Sequence, residues 1–152
     1  MMGVGDIKKR IPHRPPALLV DRVTAVAPGK RLTGHKTLTG RGPGRQRPHC
    51  RPAYPTYLLI ESWAQAALLL VLWNDPLPNV HEGRFAQAGA LDDVRIIGRA
   101  YPGDVLEHRV RMVRVARDDA VLLGETVVGS APILEIGHFV VVRCRVDQLR
   151  FW

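Results

Sequence analysis

Three polar residues interrupt an otherwise apolar run, YLLIESWAQAALLLVLW over residues 57–73: Glu61, Ser62 and Gln65. Glu61 and Gln65 are four apart, so on a helix they share a face, and Ser62 lies one step away. An ionisable group in an apolar helix is costly unless something pairs with it, and desolvation raises a carboxyl pKa. Glu61 is therefore a candidate proton donor near neutrality. Its plainer reading is a structural carboxylate satisfied by the helix around it. Gln65 orients Glu61 or the preceding loop, or simply packs. Upstream, His49 is a candidate base or a solvated loop residue. A thiolate pair with the adjacent Cys50 is a weak reading, because neighbours in extended chain point apart. Arg47 cannot act as a base, since guanidinium stays protonated, and facing a carboxylate it would hold that group ionised.

The element that must position Glu61 is a helix buried on every side, as a run apolar almost all round implies. Residues 7–16 read as a proline-broken lead-in with one short helical turn before Pro12. Residues 17–27 read as a strand ending at Pro28-Gly29, and 31–39 as its return. Residues 40–55, with three glycines, four prolines and four arginines, read as a loop. Its GRGPGR lacks the following GK[ST] of a phosphate loop. After the helix come a connector over 74–83 and strands over 84–100, 105–116, 120–129 and 137–146. The separators are Pro102-Gly103-Asp104, Asp118-Asp119 and residues 130–132. In the last strand His138, Val140, Val142 and Cys144 share one face and Arg143 and Arg145 the other. One buried helix with five or six antiparallel strands is an α+β arrangement, the sheet wrapped on the helix.

With 152 residues, 46% hydrophobic and 24% charged, the chain suits a single domain spanning 1–152. Its longest unbroken apolar run, residues 66–73, is too short to span a membrane. The opening MMGVGDIKKRIPHRPP has no apolar core of a secretory signal. Cys50 and Cys144 form neither a CxxC nor a metal-ligand cluster, so no metal or cofactor is expected and reduced thiols in the cytoplasm are. The net charge of +8 is concentrated ahead of the helix, at Lys30, Arg31, Lys36, Arg41, Arg45, Arg47 and Arg51. No recognition helix, zinc spacing or stacking-aromatic motif accompanies it, which argues against nucleic acid. An acidic protein partner or a phosphorylated carrier suits the charge, and so does a solvated loop with no partner.

Pro12-His13-Arg14-Pro15, then LLVDRV at 18–23 and PGKR at 28–31, resemble the opening of FabZ-type 3-hydroxyacyl-acyl-carrier-protein dehydratases. So do Arg51-Pro52-x-x-Pro55 leading into LLIE at 58–61 and Ala64-Gln65-Ala66. Ala88-Gly89-x-Leu91-Asp92 with Arg95, then Tyr101-Pro102-Gly103-Asp104, resemble a later segment, so the likeness runs over about 7–147. The resemblance implies the hotdog fold, a sheet around one long helix, assembled as a dimer through a continuous sheet. It implies a glutamate, here Glu61, that delivers a proton to a departing 3-hydroxyl. A histidine from the other protomer removes the C2 proton, and N–H groups at the helix N-terminus polarise the thioester carbonyl.

That histidine stands fourteen residues before the glutamate in the family, which is Arg47 here. Counting forward through the loop reaches Pro48 instead. His49 is displaced by one or two places, up to ~6.6 Å of extended backbone, well outside the tolerance of a proton-transfer contact. Thr56 replaces a family glycine near the expected thioester carbonyl. His13 matches a family position and reads as structural. His35, His81, His108 and His138 lack partner spacing. Tyr54 and Tyr57 are candidates to line an acyl tunnel with Thr56 and Gln65, and Arg41, Arg45, Arg47 and Arg51 to dock the carrier.

Three readings follow. In the first, Glu61 completes a site with a histidine-bearing FabZ-like partner in fatty-acid or polyketide, including polyene, biosynthesis. The second is a homodimeric dehydratase using His49 and Glu61, and the third a non-catalytic module that binds acyl chains or stabilises a partner.

Overall fold

Leu59, Trp63, Ala66 and Leu70 recur at helical spacing and are each at least 97% buried. They form the sheet-facing stripe of α2 (Thr56–Val71) in a computed structural model that describes residues 1–39, 52–77 and 83–145. The remaining elements are β1 (Met2–Gly3), α1 (Val4–Ile7), β2 (Arg22–Ala27), β3 (Arg31–Thr37), β4 (Arg84–Ile96), β5 (Val105–Val115), β6 (Asp119–Val128) and β7 (Ala131–Arg145). The strands form one antiparallel sheet in the order β1-β2-β3-β5-β6-β7-β4, and α2 lies against β3, β5, β6 and β7. This is the hotdog arrangement. Among the described residues, no helix is long and apolar enough to cross a membrane.

Small residues let the helix sit close. A Cβ at Gly34 of β3 would stand 3.3 Å from Ala66 Cβ, and one at Gly124 of β6 would stand 3.2 Å from the Trp63 ring. The Trp63 indole meets Phe139 of β7 edge-on, with centroids 5.6 Å apart. Leu69, Leu70 and Leu72 are no more than 1% exposed, and each such side chain contributes about 1.5–3 kcal/mol of burial. Two cations close the C-terminal end of α2, where carbonyls lack helical partners. Arg143 donates to Val71 O at 3.0 Å. Arg10 donates to Trp73 O and stacks 4.5 Å from the Trp73 ring centroid.

Several boundaries differ from the sequence reading. The strand read over 17–27 starts only at Arg22, since Ala17 and Leu19 give their backbone groups to Gln65 and Ser62 of the helix, and the strand read over 84–100 ends at Ile96. The helix is enclosed on all sides only from Gln65 onward, because Tyr57 and Glu61 share a face that no strand among the described residues covers. The short helical turn is Val4–Ile7, ahead of the proline-rich lead-in, and β1 before it pairs with Arg22 and Val23. Finally, β7 begins at Ala131, six residues earlier than the turn signals imply. The hairpin needs only Gly129 and Ser130, with Gly129 supplying φ 61°. Pro132 sits beside a register shift between Thr126 and Val127, where the ladder is already irregular.

Candidate active site

The lead-in before β2 is bound along α2 by side chains of the helix. Ser62 Oγ donates to Leu19 O at 2.7 Å. Leu19 N–H donates to Gln65 Oε1 at 2.8 Å, and Gln65 Nε2 donates to both Ala17 O and Glu61 Oε1, each at 2.8 Å. The backbone partners fix which way the amide points, since a peptide N–H can only donate and a carbonyl only accept. Gln65 thus aims the carboxylate and anchors the loop at once, joining the two roles between which the sequence left it.

Beneath this lies a buried polar chain. Ser62 spends its one proton on Leu19 O, so His108 Nε2, 2.7 Å away, must donate to Ser62 Oγ. His108 Nδ1 then accepts from the Thr126 hydroxyl at 2.8 Å. Burial, with some repulsion from His35, pushes the His108 pKa down to about 3 and keeps the ring neutral. With every member bonded, the chain pins α2 to β5 and β6. His108 is thus a satisfied core histidine.

Anchoring the lead-in carries His13 to Glu61. His13 Nε2 lies 3.6 Å from Glu61 Oε1, and the side chains are 27% and 47% exposed. Burial lowers the His13 pKa below its usual value; Glu61 opposes that shift and Arg14 adds to it. His13 Nδ1 is buried with no hydrogen-bond partner among the described residues. Both side chains, with Gln65, rim a cavity of about 140 Å³ between α2 and the strands β4 and β7. Leu68, Phe139 and Val141 line its apolar side, and Ala86, Gln87 and Ala88 the flank along β4. The carboxylate sits at the mouth of this cavity, about half exposed rather than enclosed as the apolar run implies.

The other nominated residues divide into two groups. Tyr54, Thr56 and Tyr57 gather at the N-terminus of α2 and do not line the cavity. Thr56 and Tyr57 are exposed there. Tyr54 N–H donates to Ala100 O at 2.7 Å. Its hydroxyl is buried with no partner among the described residues. Burial, with Asp21 and Tyr57, pushes the Tyr54 phenol up to about 12. His49, Arg41, Arg45, Arg47 and Arg51 lie outside the described residues. A larger depression of about 430 Å³ on the sheet face away from α2 includes Asp93, Arg95, Arg109 and Glu125. Its charges largely pair with one another, as Arg109 does with Glu125 at 3.0 Å and Arg95 with Asp93 at 3.4 Å. The smaller cavity holds the carboxyl–imidazole pair.

A family model described as a FabA-like domain matches residues 11–135. The chain belongs to the FabA-like family. This FabA-like chain is 31% identical over 134 residues to a 3-hydroxyacyl-[acyl-carrier-protein] dehydratase FabZ of Clostridium kluyveri, covering 88% of this chain and 90% of that one. The FabZ of Coxiella burnetii is 39% identical over 118 residues, covering 77% and 81% respectively. Among solved structures, the dehydratase heterocomplex ApeI:P from Xenorhabdus doucetiae superposes with a TM-score of 0.76 at 15% identity, covering 93% of each chain. At that identity the match speaks for the fold alone. Within the FabA-like frame, Glu61 and Gln65 stand together as the sequence suggested, whereas His13 is an addition. Its signal lay in the Pro12–Pro15 motif, but nothing in its spacing pointed to Glu61.

Proposed function

We propose that this chain is a subunit of a 3-hydroxyacyl-acyl-carrier-protein dehydratase and gives Glu61 to an active site shared with a histidine-bearing hotdog partner. The observation that carries this is the placement of Glu61. Its carboxylate is aimed by Gln65 at the mouth of a cavity beside β4, on a side that no further strand among the described residues covers. The FabZ relatives supply the reaction class by their names, and the heterocomplex neighbour gives a precedent for unequal dehydratase subunits.

The partner imidazole takes the C2 proton and the C2–H electron pair forms the C2=C3 double bond. The C3–O bond breaks as Glu61 gives its proton to the hydroxyl, which leaves as water. The first N–H groups of α2 face the thioester carbonyl, with Tyr54, Thr56 and Tyr57 around its entry. Arg41, Arg45, Arg47 and Arg51 dock the acidic carrier, whose phosphopantetheine presents the acyl chain. The setting is fatty-acid or polyketide biosynthesis.

The test is hydration of a carrier-bound trans-2-enoyl thioester, the reverse reaction, by the chain alone and by the chain reconstituted with a FabZ-like partner. Glu61→Gln is expected to lower kcat of the active preparation by about 10²–10⁴. Undiminished activity in that variant overturns the reading. Robust turnover by the chain alone, abolished in His49→Ala, would replace it with the homodimeric one.

A further inference from the structure

Among the described residues, the imidazole nearest Glu61 is that of His13. His13 Nε2 faces Glu61 Oε1 at 3.6 Å, and that same oxygen accepts the Gln65 N–H at 2.8 Å. The Gln65 amide also binds Ala17 O and Leu19 N–H, so the carboxylate and the segment carrying His13 share one anchor. His13 Nδ1 has no hydrogen-bond partner among the described residues, so no such bond there orients the ring. The ring keeps 27% exposure, which gives solvent a route to it.

Each dehydration leaves Glu61 one proton short and the partner imidazole one proton over, so before the next turnover the imidazolium releases its proton to solvent and the acid is restored from it. We propose that His13 is the proton-exchange partner of Glu61, its Nε2 taking a proton from solvent and passing it to Glu61 Oε1. In the Nδ1–H tautomer, Nε2 presents a lone pair. It binds one proton from water, and that N–H bond breaks as the Oε1–H bond forms. The neutral ring is regenerated and one proton has moved from solvent to the carboxylate. In hydration the flow reverses. A gap of 3.6 Å exceeds a hydrogen bond, but a swing of under ~1 Å or one bridging water closes it. The charged groups acting on the ring are Glu61 and Arg14. Burial outweighs Glu61 and keeps the ring neutral at rest, so it does not hold Glu61 as an ion pair between turnovers. His13 acts through Glu61 and is a positioning residue. The inference rests on reading Glu61 as the acid.

The test combines a titration that needs no turnover with kinetics. Imidazole ¹⁵N resonances of His13 are followed against pH in the wild-type protein and in Glu61→Gln. Loss of the carboxylate charge is expected to move the His13 titration to lower pH. In the active dehydratase preparation, His13→Asn is expected to lower kcat at least about tenfold with KM kept. Added imidazole is expected to restore rate to His13→Ala, and His13→Asn is expected to cost nothing further in the Glu61→Gln background. A His13 titration that Glu61→Gln leaves unmoved overturns the proposal. So does a His13→Asn enzyme with wild-type kcat and pH profile while Glu61→Gln is inactive. Full activity in Glu61→Gln removes the parent assignment of the acid instead.

Discussion

Gln65 Nε2 donates to Glu61 Oε1 at 2.8 Å, one turn back along the same helix, while the rest of its amide holds the backbone at Ala17 and Leu19. One side chain therefore sets the aim of the carboxylate and the course of the segment that passes it. Fold and site share this amide, so a change here is expected to register in both stability and rate.

Replacing Gln65 with Leu keeps much of the volume and removes three hydrogen bonds. Leu19 N–H and Ala17 O lose their partner, at a cost of about 1–3 kcal/mol for a buried group left unsatisfied. Urea unfolding is expected to show that loss, and enoyl hydration a lower kcat than the stability change explains. A variant with wild-type stability would show that water replaces the amide.

His108 ties stability to pH. Its folded-state pKa, about 3, lies below the unfolded value near 6.5. Between these values the unfolded chain binds a proton that the folded chain refuses, so stability falls as pH falls. The slope reaches about 1.4 kcal/mol per pH unit below pH 6, and the contribution is fully present only above the unfolded value. Denaturant titrations at pH 7, 5.5 and 4.5 check this. His108→Gln, which keeps hydrogen-bonding groups without a titrating ring, is expected to flatten that part of the slope.

A third test concerns the close contact under Trp63. A Cβ at Gly124 would lie 2.0 Å from Arg109 O, a backbone atom with no rotamer to change. Gly124→Ala is expected to cost about 1–3 kcal/mol or more, through displacement of β5 from β6. Thermal unfolding reads it directly. Gly5→Ala, where nothing lies within 4 Å, serves as the comparison and is expected to stay within about 0.5 kcal/mol.

The C-terminal end of α2 gives a fourth. Arg143→Met keeps the apolar stem and removes the donor to Val71 O. The expected loss is about 0.5–1.5 kcal/mol, reduced by the water available to a part-buried site. Hydrogen exchange in the last turn of α2 is expected to rise more than in its centre.

The architecture was legible in the sequence because its signals are local. Residues 66–73 need no partner to be read as a buried helix, and Pro28-Gly29 and Pro102-Gly103-Asp104 mark their turns unaided. Glu61 and Gln65 were legible together because four-residue spacing places them on one face. His13 was not, since its approach to Glu61 depends on bonds from Gln65 to backbone almost fifty residues earlier. His108 has a local signal of its own. It alternates with Leu106 and Val110 in β5, which places it on the apolar face. The start of β7 is hidden in the sequence by Pro132, which ordinarily breaks a ladder, whereas the irregular register beside it accommodates the ring.

Among the described residues, β4 pairs only with β7, leaving one long side of a thirteen-residue strand without a hydrogen-bonding neighbour. Such a side is a template for whatever extended chain meets it first. Its protection is slight: charges at Asp92, Asp93 and Arg95, and a register shift between Ala88 and Ala90. An extended segment laid along this side, from another subunit or from a second copy, would extend the sheet. Protein whose β4 stays uncovered is expected to aggregate sooner than a protein with both sheet edges shielded, and sedimentation of the purified chain against concentration reads that directly.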